Sequence, residues 1–346
     1  MKIALLNLLY DNNYGGHLQR YALMHIIEGM GHTVEHLNCG YTRMGVVGQM
    51  KEVARSLLCL VPALEHRYAD PNYAANKFYN RYVKHTKVIT NRNELIRYTD
   101  YDLFVVGSDQ VWRKSYMTFG MNTYFFDYLP DDKPRVAYAA SLGLDVDDYT
   151  EEEVLRLKPL YEKFRAVSVR EKNALDILVK RKWIKPQAQL AIDPTLLLDK
   201  EEYLKIISDN KTIKPNGQLF LYTLDLGDEL TRLIEAKDLK KKYTSYTATI
   251  KTRVPCSIPQ WLRNIAESEC VVTDSYHGLV FSIIFNKPYY LIENTNRGVA
   301  RFQSLFELLG LQSDGLDMSA KDWQSVNNRI KQLRSESIDF LKENLK

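Results

Sequence analysis

At 346 residues, with 45% hydrophobic and 26% charged side chains, the chain can form two domains of ordinary size, each with its own core. The composition is that of a soluble globular protein, which excludes a disordered or fibrous one, and a formal net charge of +4 gives no reason to expect nucleic acid as a partner. Cys39, Cys59, Cys256 and Cys270 lie far apart, with no C-x-x-C pair and no histidine at zinc-ligand spacing. They read as reduced thiols in a cytosolic protein, with no metal expected.

The amino terminus, MKIALLNLLYDNNY, lacks the features of a signal peptide, and no segment has the ~18 uninterrupted apolar residues needed to span a bilayer. Residues Ile3 to Leu9 suit a strand buried on both faces. The loop that follows, Asn12-Asn13-Tyr14-Gly15-Gly16, is rich in turn formers. A helix is predicted from about His17 to Met30, then a strand from His32 to Leu37, so the chain opens as βαβ. The loop holds no G-x-G-x-x-G and no P-loop occurs, which argues against dinucleotide and P-loop sites. Asn13, Tyr14 and Gly15 are well placed to hold hydroxyls, or form a simple tight turn.

From about residue 41 to 93 basic residues such as Lys51, Arg55, Arg81 and Lys84 outnumber acids. This reads as a helical insert whose basic face either is solvated or meets an anionic membrane surface. A buried strand at Leu103 to Val106 runs into Gly107-Ser108-Asp109-Gln110-Val111-Trp112, which sets hydrogen-bonding groups and an aromatic ring at a sheet edge, a kit suited to sugars, unless Asp109 and Gln110 serve as helix caps. The next strand, Arg135 to Ala140, ends at Ser141. Thr150 and Glu153 form a capping box for an acidic helix. A strand from Phe164 to Val169 ends in Arg170, an arginine costly to hold near a core unless an anion or an acid such as Glu171 pairs it. The domain boundary is expected near Leu198, after Asp193-Pro194-Thr195. Residues 1–198 would form the first domain, 199–320 the second, and 321–346 an amphipathic helical tail packing back across the junction.

The second half is organised around Cys270 to Arg301. An apolar, β-branched run stops at Thr273-Asp274-Ser275, and a helical apolar segment begins at Gly278. A turn joining a buried strand to a helix offers free backbone N–H groups to an anion. Ser275, Tyr276, His277 and Gly278 lie in that turn, and Arg297 and Arg301 follow in the loop after the next strand. The residues therefore predict an anion site containing one imidazole.

Five fragments, NYGGHLQRYAL, VVGSDQVW, SVRE, DPTLLL and TDSYHGLVFSIIFNKP, in this order and over most of the chain, resemble the polysaccharide pyruvyltransferase family. The resemblance implies an α/β GT-B-like fold: two Rossmann-like domains facing a cleft, with a carboxyl-terminal helix returning to the first. It implies phosphoenolpyruvate as co-substrate, no cofactor, and a pyruvate ketal formed on two hydroxyls of one sugar in a capsular or exopolysaccharide precursor. Such a precursor is often carried on undecaprenyl diphosphate, with the enzyme cytoplasmic or peripheral at the inner face of the membrane. By position, the family's histidine falls on His277 and its strand-end arginine on Arg170. The loop cation falls on Arg297 or Arg301.

The chemistry suits these residue types. A donor with a phosphate and a carboxylate needs several cations and an amide-lined helix start, here Arg170, Ser275, Tyr276, Gly278, Arg297 and Arg301. Its methylene carbon needs an acid, for which His277 is the candidate, and the attacking hydroxyl needs a base, for which Asp109 is chosen. Asn13, Tyr14, Gly15, Ser108, Gln110, Trp112 and Ser141 form the expected acceptor side. Two alternatives stay open: a glycosyltransferase using a nucleotide sugar, and a non-catalytic component of a glycan assembly complex.

Overall fold

The computed structural model describes residues 1–8, 13–40, 50, 51, 53, 54, 71–215, 218–224, 234, 235, 239, 246–250, 256–292, 299–312, 318 and 320–346. Residues 41–49, 52 and 55–70 of the basic region lie outside these, as does Arg297. Among the described residues the strands form two all-parallel sheets. The first contains β1 (Lys2–Leu6), β2 (Thr33–His36), β3 (Leu103–Asp109), β4 (Arg135–Ala140), β5 (Ala166–Val169) and β6 (Gln189–Leu190), in the spatial order β2-β1-β3-β4-β5-β6. The second contains β7 (Leu219–Thr223), β8 (Tyr246–Ile250), β9 (Cys270–Thr273) and β10 (Tyr289–Leu291), in the order β10-β9-β7-β8.

The apolar runs predicted as buried strands are buried. In β3 and β4 every residue is buried, and in β9 the whole of Cys270 to Thr273 is. Each sheet has a point where the chain steps to the other side of its first strand, between β1 and β3 in one and between β7 and β9 in the other. Such switch points open a crevice at the carboxyl ends of the strands. Both crevices are braced by side-chain amides or carboxylates. Asn7 Nδ2 donates to the Gly107 carbonyl at 2.9 Å in the first, and Asp274 Oδ1 accepts from the Leu224 amide at 2.7 Å in the second.

The helices that matter to the site are α1 (Tyr14–Gly29), α2 (Pro71–Tyr82), α3 (Arg92–Leu95), α4 (Glu151–Tyr161), α5 (Lys172–Lys180), α6 (Lys200–Ser208), α7 (Ile258–Glu267), α8 (Tyr276–Ile284), α9 (Ala300–Leu309) and α10 (Ala320–Asn344). The capping box read from Thr150 and Glu153 is present at α4, with both reciprocal hydrogen bonds made. The start of α1 differs from expectation. Tyr14, Gly15 and Gly16 are not a loop but the first helical turn, because Asn13 caps it: its Oδ1 accepts from Gly16 N at 3.3 Å, while its carbonyl accepts from His17 N at 3.1 Å. A good amide cap outweighs the weak helix propensity of two glycines.

One apolar core runs through the junction of the two sheets. It joins Tyr14, Leu18 and Leu23 of α1 to Trp261 and Ile265 of α7, Phe281 of α8, Phe302 of α9, and Trp323, Ile330 and Phe340 of α10. Separate clusters cover the other face of each sheet. A continuous apolar contact restrains relative motion more than the polar interfaces common between domains. The tail helix α10 returns to the first sheet: Ile192 N donates to Ser337 Oγ at 3.1 Å, and Arg334 donates to the carbonyls of Leu196 and Leu198, both at 2.9 Å.

Candidate active site

The two crevices face each other, and the first turns of α1 and α8 meet there. His277 lies in the first turn of α8, whose amino cap is Ser275: its Oγ accepts from Gly278 N at 3.3 Å. A β-carbon placed on Gly15 of α1 would fall 2.0 Å from His277 Nδ1, so only glycine lets the ring come this close. On the opposite side, His277 Nε2 is 3.6 Å from Oδ2 of Asp193, which follows β6 and caps the single turn at Pro194–Leu196. The imidazole carried by the second sheet is thus enclosed by residues of the first.

Arg170, at the end of β5, is buried beside it. Its Nη1 donates to Asp193 Oδ2 at 2.7 Å, its Nη2 donates to Asp109 Oδ1 at 3.0 Å, and its Nε is 3.8 Å from Glu171 Oε2. The structural partner considered from sequence, Glu171, is therefore the most distant of three carboxylates. The guanidinium also stacks over the Tyr276 ring at 4.4 Å, and Arg301, in the first turn of α9, lies 5.7 Å from the same ring. Both arginines, His277, Tyr276, Asp109 and Asp193 form one buried cluster drawn from both halves of the chain.

Electrostatics follow from this packing. Burial raises the proton affinity of Asp109, but Arg170, with His277 and Arg301 behind it, outweighs burial and holds the carboxyl below its ordinary range. For Asp193 the balance falls the same way and further, through His277, Arg170 and Thr195. Glu171 goes the other way, because burial wins over Arg170. Burial, and then the charge of Arg170, hold the Arg301 guanidinium below its ordinary range, against the pull of Asp109, Glu171 and Tyr276.

Several expected roles need correction. Trp112 is 1% exposed, stacks on Phe125 with ring centroids 5.1 Å apart and donates Nε1–H to the Tyr124 carbonyl, so it is a core residue and no platform for a sugar. Tyr14 is buried between Trp261 and Tyr222, and its hydroxyl donates to the Cys256 carbonyl at 2.9 Å. It fastens α1 to the second half of the chain. Ser108 donates to the Ala139 carbonyl, Ser141 Oγ accepts from Gly143 N, and both are fully buried. Gln110 Oε1 accepts from Arg113 Nη1 at 2.8 Å, and the half-buried Asn13 is the α1 cap. Ser275 and Gly278 spend their polar groups on each other, and Gly278 is required by packing, since a β-carbon there would lie 2.3 Å from Thr273 Oγ1. The amides of Tyr276 and His277 are the first-turn donors left for an anion. Asp109, held by Arg170, is a weak base; its φ of 69°, uncommon for a residue other than glycine, is of a kind concentrated at functional sites.

Asp193 was legible only as a turn residue, although it is central here. It also lies in DPTLLL, one of the five fragments that carry the family resemblance, but no role was read for it there.

The sequence profile described as polysaccharide pyruvyl transferase matches residues 13–296, a span that contains both sheets from α1 onward and every residue of the cluster except Arg301. The chain belongs to the polysaccharide pyruvyl transferase family. No curated protein matches it at a significant level. Among solved structures, similar ones include a putative UDP-N-acetylglucosamine 2-epimerase from Listeria monocytogenes (12% identity, covering 98% of this chain and 89% of that one, TM-score 0.52). Another is UDP-GlcNAc 2-epimerase from Neisseria meningitidis bound to UDP-GlcNAc (12% identity, 100% and 99% coverage, TM-score 0.51). At such identity these show the fold alone: this member of the pyruvyl transferase family is GT-B-like, as its two sheets and returning helix require.

The collar around His277 gives a direct prediction for this family member. Gly15→Ala should lower turnover at least about tenfold, because it displaces the imidazole at the centre of the buried cluster on the ångström scale. The added methyl would meet His277 Cβ as well as its ring, so a loss of stability of about 1–3 kcal/mol is expected beside the loss of rate. Parallel measurement of kcat and Tm checks both halves of this expectation; unchanged kcat would show that the ring is not held by this contact.

Proposed function

We propose that the protein transfers the pyruvyl unit of phosphoenolpyruvate to two hydroxyls of one sugar in a cell-surface glycan precursor, with no cofactor. The single observation that supports this reading is the meeting of one imidazole, His277, with two guanidinium groups, Arg170 and Arg301, over the Tyr276 ring at facing switch points of a family member.

In this reaction His277 gives a proton to the methylene carbon of the donor, making C2 electrophilic. One sugar hydroxyl adds to C2 and loses its proton. Phosphate then departs with the electrons of the C2–O bond, the second hydroxyl closes the ring, and the two released protons return to His277 and to phosphate. Phosphoenolpyruvate and a diol thus become a ketal and hydrogen phosphate. Arg301 and the first-turn amides of α8 hold the donor's anionic groups, while Arg170, neutralised by carboxylates, tunes the cluster. The base is supplied by Asp109 only weakly, so the departing phosphate is the better acceptor of the hydroxyl proton.

We further infer a lipid-linked acceptor of capsule or exopolysaccharide assembly, met from the cytoplasmic side. No helix among the described residues is long and apolar enough to cross a membrane. Incubation with phosphoenolpyruvate and a galactoside-bearing acceptor should release phosphate only when acceptor is present, and mass spectrometry should find one pyruvate ketal per acceptor. Consumption of a nucleotide sugar without phosphoenolpyruvate would instead make the protein a glycosyltransferase.

A further inference from the structure

We propose that Asp193 is a positioning residue for the transfer reaction, fixing the His277 imidazole with Nε2–H turned to its carboxylate so that Nδ1 is the nitrogen that carries the transferred proton. This rests on the reading of His277 as the acid.

Four features support the role. First, the carboxylate is immobile. Its side chain is 0% exposed, Pro194 restricts the backbone after it, and Oδ1 accepts from both Thr195 N at 3.0 Å and Thr195 Oγ1 at 2.7 Å. Rotation about the side chain would break both bonds, so Oδ2 stays where it is.

Second, Oδ2 faces two groups, Arg170 Nη1 at 2.7 Å and His277 Nε2 at 3.6 Å. The second distance is a little longer than a hydrogen bond, and a small approach would complete it. Third, Nε2 is buried and has no hydrogen-bond partner among the described residues. A buried ring nitrogen beside a carboxylate is most stable carrying the proton. Nδ1 sits on the opposite side of the ring, against Gly15 in the first turn of α1.

Fourth, the charges do not require Asp193 for Arg170 alone. Asp109 and Glu171 already face that guanidinium at 3.0 and 3.8 Å.

The test begins with the unmodified protein. Long-range 1H–15N spectra of the histidine-labelled full chain, with the His277 resonances assigned by their loss in His277→Gln, should show the Nε2–H tautomer at mildly alkaline pH. The Nδ1–H tautomer would overturn the proposal. This readout needs no turnover, so a failure of phosphoenolpyruvate transfer would sink the reaction without deciding the tautomer. In activity, Asp193→Asn should lower kcat ~10²-fold or more while the donor KM stays within about threefold, since the residue acts on the acid and not on binding. Its spectrum should also show a larger share of the Nδ1–H form. A raised KM with kcat unchanged would mean that Asp193 serves only Arg170, and the role assigned here would be wrong. Should Asp193→Asn fail to fold, Thr195→Val loosens the same carboxylate by removing one hydrogen bond. It is expected to lower kcat about threefold to tenfold with the same KM pattern, and an unchanged kcat in that folded variant would count against the proposal.

Discussion

Replacing His277 by alanine is expected to lower turnover about 10²- to 10⁴-fold, the usual worth of a positioned proton donor, and to leave the fold intact. In the proposed transfer the donor's methylene carbon is a poor base, so its protonation is the step that would most need an acid held in place. His277 is the imidazole placed for this, with Gly15 on one side, Asp193 on the other and both arginines close by. Loss of the ring opens space at a polar junction and not in the apolar core, so the melting temperature should change far less than the rate. Steady-state phosphate release and thermal unfolding of the same preparation separate the two effects. A variant that keeps wild-type turnover would remove the acid from the mechanism.

Arg170→Met should be the most destabilising single change in the site, by about 3–5 kcal/mol, because it leaves Asp109, Asp193 and Glu171 facing one another in a buried space. That is a large share of the ~5–15 kcal/mol that holds a typical protein folded. The pH dependence gives the signature. Asp109 and Asp193 have proton affinities below those of the unfolded chain, so their contribution is present above the ordinary carboxylate range, about pH 4, and is lost as pH falls through their depressed values. Glu171 has the opposite sign: burial raises it, so its effect favours the fold at low pH and is lost as pH rises. Two depressed groups against one raised group make the gap between wild type and Arg170→Met widest near neutrality and narrower in acid. Urea unfolding at several pH values measures it; a gap that is constant with pH would show that Arg170 does not hold the carboxylates ionised.

The strand, turn and helix around His277 could be read from sequence because each step is local: β-branched residues end at a polar turn, and Ser275 is a strong amino cap. The order of short motifs along the chain likewise carried the fold. What could not be read was decided across distance. Asp193 reaches His277 from a different sheet, and nothing in the intervening sequence encodes that meeting. Trp112 illustrates a second difficulty, since an aromatic ring at a strand end has the same pattern whether it faces a ligand or, as here, Phe125 and the core. The glycines of Tyr14-Gly15-Gly16 hid a helix start because their conformational freedom suggests a loop, whereas their lack of side chains serves a close approach instead. Tyr14, read as a sugar contact, joins the halves through Cys256 for the same reason: its polar tip and apolar body fit a protein junction as well as a ligand.

The enclosure of His277 by Gly15 and Asp193 bears on how relatives of this protein can be recombined. Residues of the front portion flank a histidine carried by the rear one, so an exchange of front portions would also exchange the collar of the proton carrier proposed here. Chimeras that keep glycine and aspartate at those two places should retain donor chemistry, while those that lose either should bind sugar and stall.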